Sequence, residues 1–350
     1  MTLTFLLAGV TSFPAGGFKV VFEHANRLAR DGHTVNIVMG AVTISPRTTF
    51  AALFRYPYYK VTHNYAPTNW FSLHPNIHCY YFFTLAEGNI PKSDVIIATA
   101  VETAFYLNKY TSFAKKMYFI QGFEDWAVSA KKVYETYSFP LKKMVIAPWL
   151  QELVRAHGSD AVLVPNGFDF DYFKLSVPVE SRNRMSVLMM YHTMARKRCS
   201  DCIAALQLVK QRFPCLNIKM FGRPKKPSDV PFEFEYYQAP DKETHNRLYN
   251  ESAIYVAASS VEGWGLTVGE AMICGCAVAC TDNKGFKTMA YENETALLSP
   301  VYDYKKLAEN IICLIENDDL RIRLAKAANK NIQQYTWDNS YKKFKETIFD

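Results

Sequence analysis

Residues 3–40, LTFLLAGVTSFPAGGFKVVFEHANRLARDGHTVNIVMG, decide the fold of the first half of the chain. The segments "LTFLLAGV" and "HTVNIVMG" are continuous apolar runs, typical of strands buried on both faces. Between them, "SFPAGG" is a turn cluster, and the next segment places Val21, Ala25 and Leu28 on one helical face before Gly32 ends the helix. This strand–helix–strand unit predicts a parallel sheet with a right-handed crossover.

The same alternation continues and then starts again. Apolar runs follow at "SDVIIATA", "KKMYFIQG", "KKMVIAP" and "DAVLVPNG", and after a polar connector a second series begins at "MSVLMMYH". A chain of 350 residues suits two domains. We expect the α/β class: two Rossmann-like, doubly wound parallel-sheet domains that face each other across a cleft. Their predicted ranges are 1–172, with a closing helix at 337–350 packing back on it, and 173–336.

Composition excludes several other classes of protein. Lys and Arg outnumber Asp and Glu by 40 to 33, a net charge of +7 that is too mild and too spread out for nucleic-acid binding. No apolar run reaches about 18 residues, and "MTLTFLLAGV" lacks the features of a signal peptide. Most of the 8 cysteines lie in apolar runs, as in a reduced cytoplasmic protein. The CxxC of Cys199 and Cys202 and the CxC of Cys274 and Cys276 have poor spacing for zinc, so no metal site is expected.

The stretch between Gly32 and Ala86 contains no Asp or Glu. It carries Arg47, Arg55 and Lys60 and much of the chain's large aromatic content. Two interpretations remain open: a hydrophobic acceptor cleft with loops, or a surface that rests peripherally on the anionic headgroups of the inner face of the cytoplasmic membrane. No clean amphipathic helix can be drawn through the stretch from the sequence.

The strongest local motif is "SSVEGWGLTVGEAMICGCAVACTD", residues 259–282. A glycine turn separates Glu262 from a helix that is expected to start near Leu266, and the amides of a helix N-terminus bind anions. Thr267 is placed to cap that helix or to contact a phosphate there. Glu270, one turn into the helix, can accept hydrogen bonds from a ribose diol, and Glu262 faces the group on the other side of the phosphates.

This Glu-x7-Glu segment resembles the signature of the retaining glycosyltransferases of family 4, the glycosyl transferases group 1, which have the GT-B fold. "VPNGFDFDYF" (164–173), "PAGGFKVVFEHANRLARDGHTV" (14–35) and "TWDNSYKKF" (336–344) resemble further elements of the family in the same order. The resemblance implies a metal-independent, retaining transfer from a nucleotide-diphosphate sugar, with no other cofactor. The implied acceptor is a saccharide or lipid-linked saccharide, and the implied setting is bacterial surface polysaccharide synthesis.

The resemblance also implies roles for single residues of the second domain. Glu270 would hold the ribose, and the backbone amides of Gly265, Leu266 and Thr267 would hold the diphosphate. Lys197, in "YHTMARKR" (191–198), falls on the family's lysine and would stabilise the leaving phosphate. Glu262 would orient the sugar hydroxyls or stabilise the ring.

The chain departs from the family pattern at four positions of the second domain. His192 stands where Arg is usual, and Arg196 is expected to supply the missing charge. Arg198 and Lys284 each replace a Gly, and Thr288 replaces a Glu. These departures keep open a second hypothesis, a catalytically weak or inactive GT-B subunit that binds a nucleotide sugar or a partner glycosyltransferase.

The first domain supplies the remaining candidates. The Gly16–Gly17 loop is expected to close over the diphosphate. In "YFIQGFEDW", which follows a buried strand, the acceptor-side candidates are Gln121, Glu124, Asp125 and Trp126.

A Rossmann dehydrogenase is excluded, because the first loop lacks GxGxxG and the second strand ends without an acidic residue.

The identity of the sugar donor implied by the resemblance is left open among UDP-hexose, GDP-mannose and a dTDP-deoxyhexose.

Overall fold

The computed structural model describes residues 1–44, 46–67 and 69–350, with the side chains of 46–51 left out. The chain divides into two units, Met1–Asn166 with Trp337–Asp350, and Gly167–Thr336. Phe168 already belongs to the second unit, because its amide donates to the carbonyl of Tyr335 at 2.9 Å.

The described part of the first unit is built on a seven-stranded parallel sheet in the order β3-β2-β1-β4-β5-β6-β7. Its elements in chain order are β1 (Thr2–Leu7), α1 (Gly16–Arg30), β2 (Thr34–Val42), α2 (Pro46–Thr62), β3 (Ile77–Thr84), β4 (Val95–Ala98), α3 (Val101–Asn108), β5 (Lys115–Ile120), α4 (Ala130–Tyr137), β6 (Lys142–Val145), α5 (Pro148–Arg155) and β7 (Ala161–Leu163).

The second unit is built on a six-stranded parallel sheet in the order β10-β9-β8-β11-β12-β13. Its elements are β8 (Ser186–Met190), α6 (Cys199–Arg212), β9 (Asn217–Gly222), β10 (Glu235–Gln238), α7 (Lys242–Glu251), β11 (Ile254–Ala257), α8 (Leu266–Ile273), β12 (Ala277–Thr281), β13 (Leu297–Ser299), α9 (Tyr304–Glu316) and α10 (Asp318–Ile332). The last helix, α11 (Trp337–Phe349), belongs to the first unit. The α/β class with two Rossmann-like parallel-sheet units is thus confirmed.

The core between α1 and α11 is aromatic. His24 is fully buried on α1 and stacks on Phe344 of α11, with ring centroids 4.1 Å apart. Neither of its ring nitrogens has a hydrogen-bond partner. Burial, with a smaller effect from Arg27, lowers the pKa of His24 to about 3. A neutral imidazole therefore serves here as a flat apolar ring.

The acid-free stretch is more ordered than its sequence indicates. It contains α2, which has Pro57 inside it, and β3, which pairs with β2. No clean amphipathic helix was predicted in this stretch; a helix does run through it, with apolar residues on its packed and its exposed side. Of its three basic residues, Arg55 and Lys60 are exposed on α2, and the side chain of Arg47 lies outside the described residues. Across the described residues, no helix is long and apolar enough to cross a membrane.

Candidate functional site

The candidate site of the second unit lies at the carboxyl ends of its central strands. The order of the sheet reverses between β8 and β11, and ligands of open parallel sheets bind at such a reversal. The loops after β8 and β11 carry Lys197 and Glu262 respectively. The sequence-predicted candidates of this unit thus come from neighbouring strands of one sheet.

Lys197 and Glu262 form an ion pair that joins the two loops. The Nζ of Lys197 lies 2.6 Å from Oε1 of Glu262, and their side chains are only 18% and 15% exposed. Ser259 donates its hydroxyl to the same oxygen at 2.7 Å. A backbone bond from the amide of Ser260 to the carbonyl of Arg196, 2.8 Å long, ties the loops together a second time. The two side chains proposed for catalysis are therefore in contact and held in position.

The loop that carries Glu262 rests on the end of β12. The carbonyl of Ser259 accepts from Thr281 at 2.7 Å and from Asn283 at 2.9 Å. Gly285 packs against the loop so closely that a Cβ there would lie 2.7 Å from the Cβ of Glu262. Only a residue without a side chain permits this approach.

The helix after the glycine turn begins where the sequence predicts, at Leu266. Its N-cap Gly265 has φ 102°, a conformation that favours glycine. A Cβ there would also lie 2.6 Å from the ring of Phe286, so the lack of space favours glycine as well. The first amide of the helix that donates to the carbonyl of Gly265 is that of Val268. The amides of Leu266 and Thr267 therefore come before the first hydrogen bond within the helix, at the positive end of its dipole.

Glu270 lies one turn further along α8. The hydroxyl of Tyr249 donates to its Oε2 at 3.2 Å, and the carboxylate is half-buried. Burial, together with the charge of Glu270, raises the pKa of the Tyr249 hydroxyl well above its ordinary value. Tyr249 thus remains a donor that orients the carboxylate.

Positive charge gathers around the loop after β8. Burial lowers the pKa of His192, and the nearby positive charges of Lys197, Arg196 and Arg223 lower it further. The negative charge of Glu262 has the opposite, smaller effect. His192 is therefore neutral at pH 7, and its Nδ1 accepts from the amide of Met194 at 2.9 Å. It does not replace the charge of the arginine expected there.

The other departures from the family pattern have distinct surroundings. Arg198 adopts the left-handed conformation, with φ 47°, and its guanidinium makes two bonds to Asp201, of 2.8 and 2.6 Å, while lying 4.8 Å from the ring centre of Tyr302. Lys284 is exposed. Thr288 is buried and its hydroxyl has no hydrogen-bond partner.

The first-unit candidates lie at the carboxyl end of β5 and at the start of α1. Gly16 and Gly17 are the first residues of the helix rather than part of a loop, and a Cβ on Gly17 would lie 3.5 Å from Oε1 of Gln121. Glu124 accepts from the amide of Val101 at 2.6 Å, so its carboxylate stabilises the start of α3. Asp125 is exposed, and Trp126 is 49% exposed.

Sequence reasoning missed Ser259, Ser260 and Tyr249. Nothing in the sequence marks Ser259, because a serine beside a glycine turn has many other uses. Nothing local marks Tyr249, which comes from α7 and meets Glu270 only in the folded unit.

Across the described residues, no group of three or more His, Cys, Asp or Glu side chains is arranged to hold a metal ion. The cysteines considered for zinc, Cys199, Cys202, Cys274 and Cys276, are free and buried.

Comparison with known proteins adds similarities to this geometry. Residues 181–331 match the family model described as glycosyl transferases group 1. The chain is 27% identical over 198 residues to the phosphatidyl-myo-inositol mannosyltransferase of Mycobacterium tuberculosis, a match that covers 53% of this chain and 52% of the relative. The chain thus spans about half the length of this relative.

Solved structures share the whole fold at low sequence identity. Sucrose-phosphate synthase from Thermosynechococcus elongatus has a TM-score of 0.74 at 13% identity, covering 99% of this chain and 97% of that one. The Anabaena protein HepE in complex with UDP-glucose has a TM-score of 0.72 at 14% identity, covering 100% and 99%. These similarities support the GT-B class of fold.

Proposed function

We propose that this protein is a glycosyltransferase that uses a nucleotide-diphosphate sugar as donor. The proposal is supported by the match of residues 181–331 to the family model of the glycosyl transferases group 1. The observation that carries the proposal is the Lys197–Glu262 pair, 2.6 Å apart, in the two loops at the reversal of the second sheet. A cation in contact with a carboxylate, whose loop leads into a helix N-terminus, suits a ligand with phosphates at one end and hydroxyls at the other.

The donor would bind through its phosphates and its ribose. The amides at the start of α8 and the ammonium of Lys197 would neutralise the diphosphate, and Arg196 would add a second charge. Glu270, already oriented by Tyr249 at 3.2 Å, would accept from the two ribose hydroxyls. We propose that these groups do the work that a metal ion does in other transferases.

The chemistry follows from where charge develops. Cleavage of the glycosyl–phosphate bond leaves negative charge on the diphosphate and positive charge on the sugar ring. Lys197 would stabilise the first, and Glu262 would orient the sugar hydroxyls or stabilise the second. In the retaining reaction, the acceptor oxygen attacks the face that the diphosphate leaves. The acceptor proton passes to a phosphate oxygen of the leaving group, so Glu262 need not form a covalent bond.

Binding of a donor would change the partner of Lys197. Lys197 now neutralises Glu262, and Ser259 shares the same carboxylate oxygen. A bound diphosphate would compete for Lys197, while Ser259 would keep Glu262 in position. The ion pair leaves neither of these two largely buried charges without a partner.

For the acceptor, we propose a saccharide or lipid-linked saccharide in bacterial surface polysaccharide or glycolipid synthesis. Support comes from the name of the mycobacterial relative, a mannosyltransferase that acts on phosphatidyl-myo-inositol. The exposed Trp126, which could stack on a sugar face, is a candidate on the first unit. Glu124 is a weaker candidate, because it already stabilises the start of α3.

The proposal is tested by turnover with matched variants. Purified protein is assayed with UDP-, GDP- and dTDP-sugars and a lipid-linked saccharide acceptor, without added metal. Lys197→Ala should lower kcat/KM about a hundredfold, as expected for the loss of one charge-assisted phosphate contact. Lys305→Ala, on the exposed face of α9, is the control and should turn over like the wild type.

The outcomes separate the two functional hypotheses. Turnover that is lost in Lys197→Ala and in Glu262→Ala supports the catalytic assignment. Unchanged turnover in Glu262→Ala would contradict the role given to that residue. Nucleotide binding without any turnover, across all donors, would favour the non-catalytic subunit.

A further inference from the structure

One face of α2 is apolar and exposed. The exposed fractions are 56% for Leu53, 69% for Phe54, 57% for Tyr58 and 79% for Val61. Large apolar side chains with this much exposure rarely gather on one helix of a soluble protein unless the face is used for binding.

The helix is held to the first sheet by a narrow strip on its other side. Ala52 is 2% exposed, and the rings of Tyr56 and Tyr59 pack on Tyr81 of β3 with centroids 5.4 and 5.7 Å away. This packing fixes which way the helix faces. The four outer side chains remain largely exposed.

Charges border the exposed face on both sides. At about 100° per residue, Leu53, Phe54, Tyr58 and Val61 fall within an arc of about 140°. Lys60 lies about 20° outside one edge of this arc and Arg55 about 60° outside the other, and both are exposed. The Nζ of Lys60 lies 5.7 Å from the ring centre of Phe82 on β3. The surrounding stretch from 33 to 86 contains no acidic residue. An apolar face bordered by cations, within an acid-free stretch of the sequence, is complementary to the surface of an anionic lipid bilayer.

We propose that α2 docks on the surface of an anionic phospholipid bilayer. Phe54 and Val61 enter the boundary between headgroups and acyl chains, and Arg55 and Lys60 contact the headgroup phosphates. A second copy of the chain fits this face less well, because pairing two copies would bring four cations together. The inference does not rest on the proposed enzymatic function, although docking would bring the first unit to any lipid-linked acceptor.

Vesicle flotation tests the docking. The full chain is mixed with vesicles of phosphatidylcholine alone or with about 30% phosphatidylglycerol. The wild type should float with the anionic vesicles at low salt, and less so as salt screens the charges. Phe54→Ser/Val61→Ser should weaken partitioning about tenfold, and so should Arg55→Glu/Lys60→Glu.

The control changes net charge by the same amount elsewhere in the unit. Lys131→Glu/Lys132→Glu, on the exposed side of α4, should float like the wild type if docking is local to α2. Equal loss in this control would mean that only overall charge matters and would overturn the proposal. Thermal unfolding of each variant confirms that it is folded.

A second readout reports on depth and on the competing occupant. In Phe54→Trp, brominated lipids should quench the fluorescence of the added ring. The control Val162→Trp, at an exposed position of β7, should not be quenched. No quenching at position 54 would overturn the proposal. So would concentration-dependent dimers in sedimentation velocity that are abolished by Phe54→Ser/Val61→Ser while wild-type vesicle binding is absent.

Discussion

At the scale of single residues, the site depends on contacts that fix one carboxylate. Glu262 accepts from Lys197 at 2.6 Å and from Ser259 at 2.7 Å. The sequence predicted both charged members from the resemblance and from the chemistry that phosphates need. It did not predict Ser259, because a hydroxyl beside a glycine turn has many other uses.

We predict that Ser259→Ala lowers kcat about tenfold with little change in the donor KM, because Glu262 loses the donor that remains when Lys197 turns to the phosphates. Steady-state kinetics with the preferred donor measures this. Ser200→Ala, on the exposed first turn of α6, is the control. A raised KM with unchanged kcat would show that Ser259 serves donor binding instead.

Arg198 shows a departure from the family pattern that the structure explains. Its φ of 47° lies in the region that favours glycine, the residue that the family resemblance implies at this position. Its bonds to Asp201 and its position over Tyr302 offset that cost. We expect Arg198→Gly to change the donor KM less than twofold relative to the wild type, because the guanidinium is already paired. Lys197→Ala, assayed in parallel, is the reference for a large effect. A tenfold rise in KM would place Arg198 in contact with the donor.

A third residue-scale prediction concerns acid stability. The unfolded chain protonates His24 near its ordinary pKa of about 6.5, whereas the folded chain does so only near a pKa of about 3. Since the unfolded state then binds more protons, the folded state loses stability as pH falls from about 6.5 to 3, by up to about 1.4 kcal/mol per pH unit from this group. His24→Phe should remove that contribution.

Urea unfolding at a series of pH values measures it. His78→Phe, on the exposed edge strand β3, controls for the removal of a histidine from the surface. An acid limb in His24→Phe as steep as in the wild type would contradict the account of a buried neutral ring.

At the scale of helices and strands, the sequence predicted most elements but missed two of them. The central strands were predictable because burial on both faces leaves continuous apolar runs such as those of β1 and β2. The elements α2 and β3 were missed for a physical reason. The outer face of α2 is as apolar as its packed strip, so no two-sided pattern is visible, and Pro57 inside the helix indicates a break.

The close packing of α8 gives a prediction at this scale. A Cβ on Gly269 would overlap the ring of Phe168, which is 4% exposed. Alanine ordinarily stabilises a helix interior by about 1 kcal/mol relative to glycine. Here Gly269→Ala should instead lower the free energy of unfolding by about 1–3 kcal/mol, through overpacking.

A double-mutant cycle in urea isolates that contact. Phe168→Leu in the same chain should recover part of the loss caused by Gly269→Ala, because it removes the ring edge that the new methyl group meets. If Gly269→Ala alone were as stable as the wild type or more so, the close approach of α8 and Phe168 would not hold in solution.

At the scale of the whole molecule, one topology occurs twice. The first sheet reverses its order between β1 and β4, and the second between β8 and β11. The sequence predicted this repetition from two alternating series of strands and helices. It could not predict which loops meet, because Lys197 and Glu262 are far apart in sequence and come together only when β8 and β11 pair.

The distribution of charge also belongs to this scale. The net charge of +7 is small for a chain of 350 residues, yet residues 33–86 carry no acid at all. Composition alone left two interpretations of that stretch open. The orientation of α2, fixed by Tyr56 and Tyr59 against β3, favours the lipid surface.

The most direct test of the central claim is thermal unfolding of the whole chain with UDP, GDP or dTDP. At about 100 times its dissociation constant, a ligand of the folded state adds about 2.7 kcal/mol to the free energy of unfolding. We predict that one of the three raises the unfolding temperature of the wild type and of Lys305→Ala, and raises that of Lys197→Ala much less. No shift with any of them at millimolar concentration, or an equal shift in Lys197→Ala, would contradict a diphosphate site at Lys197.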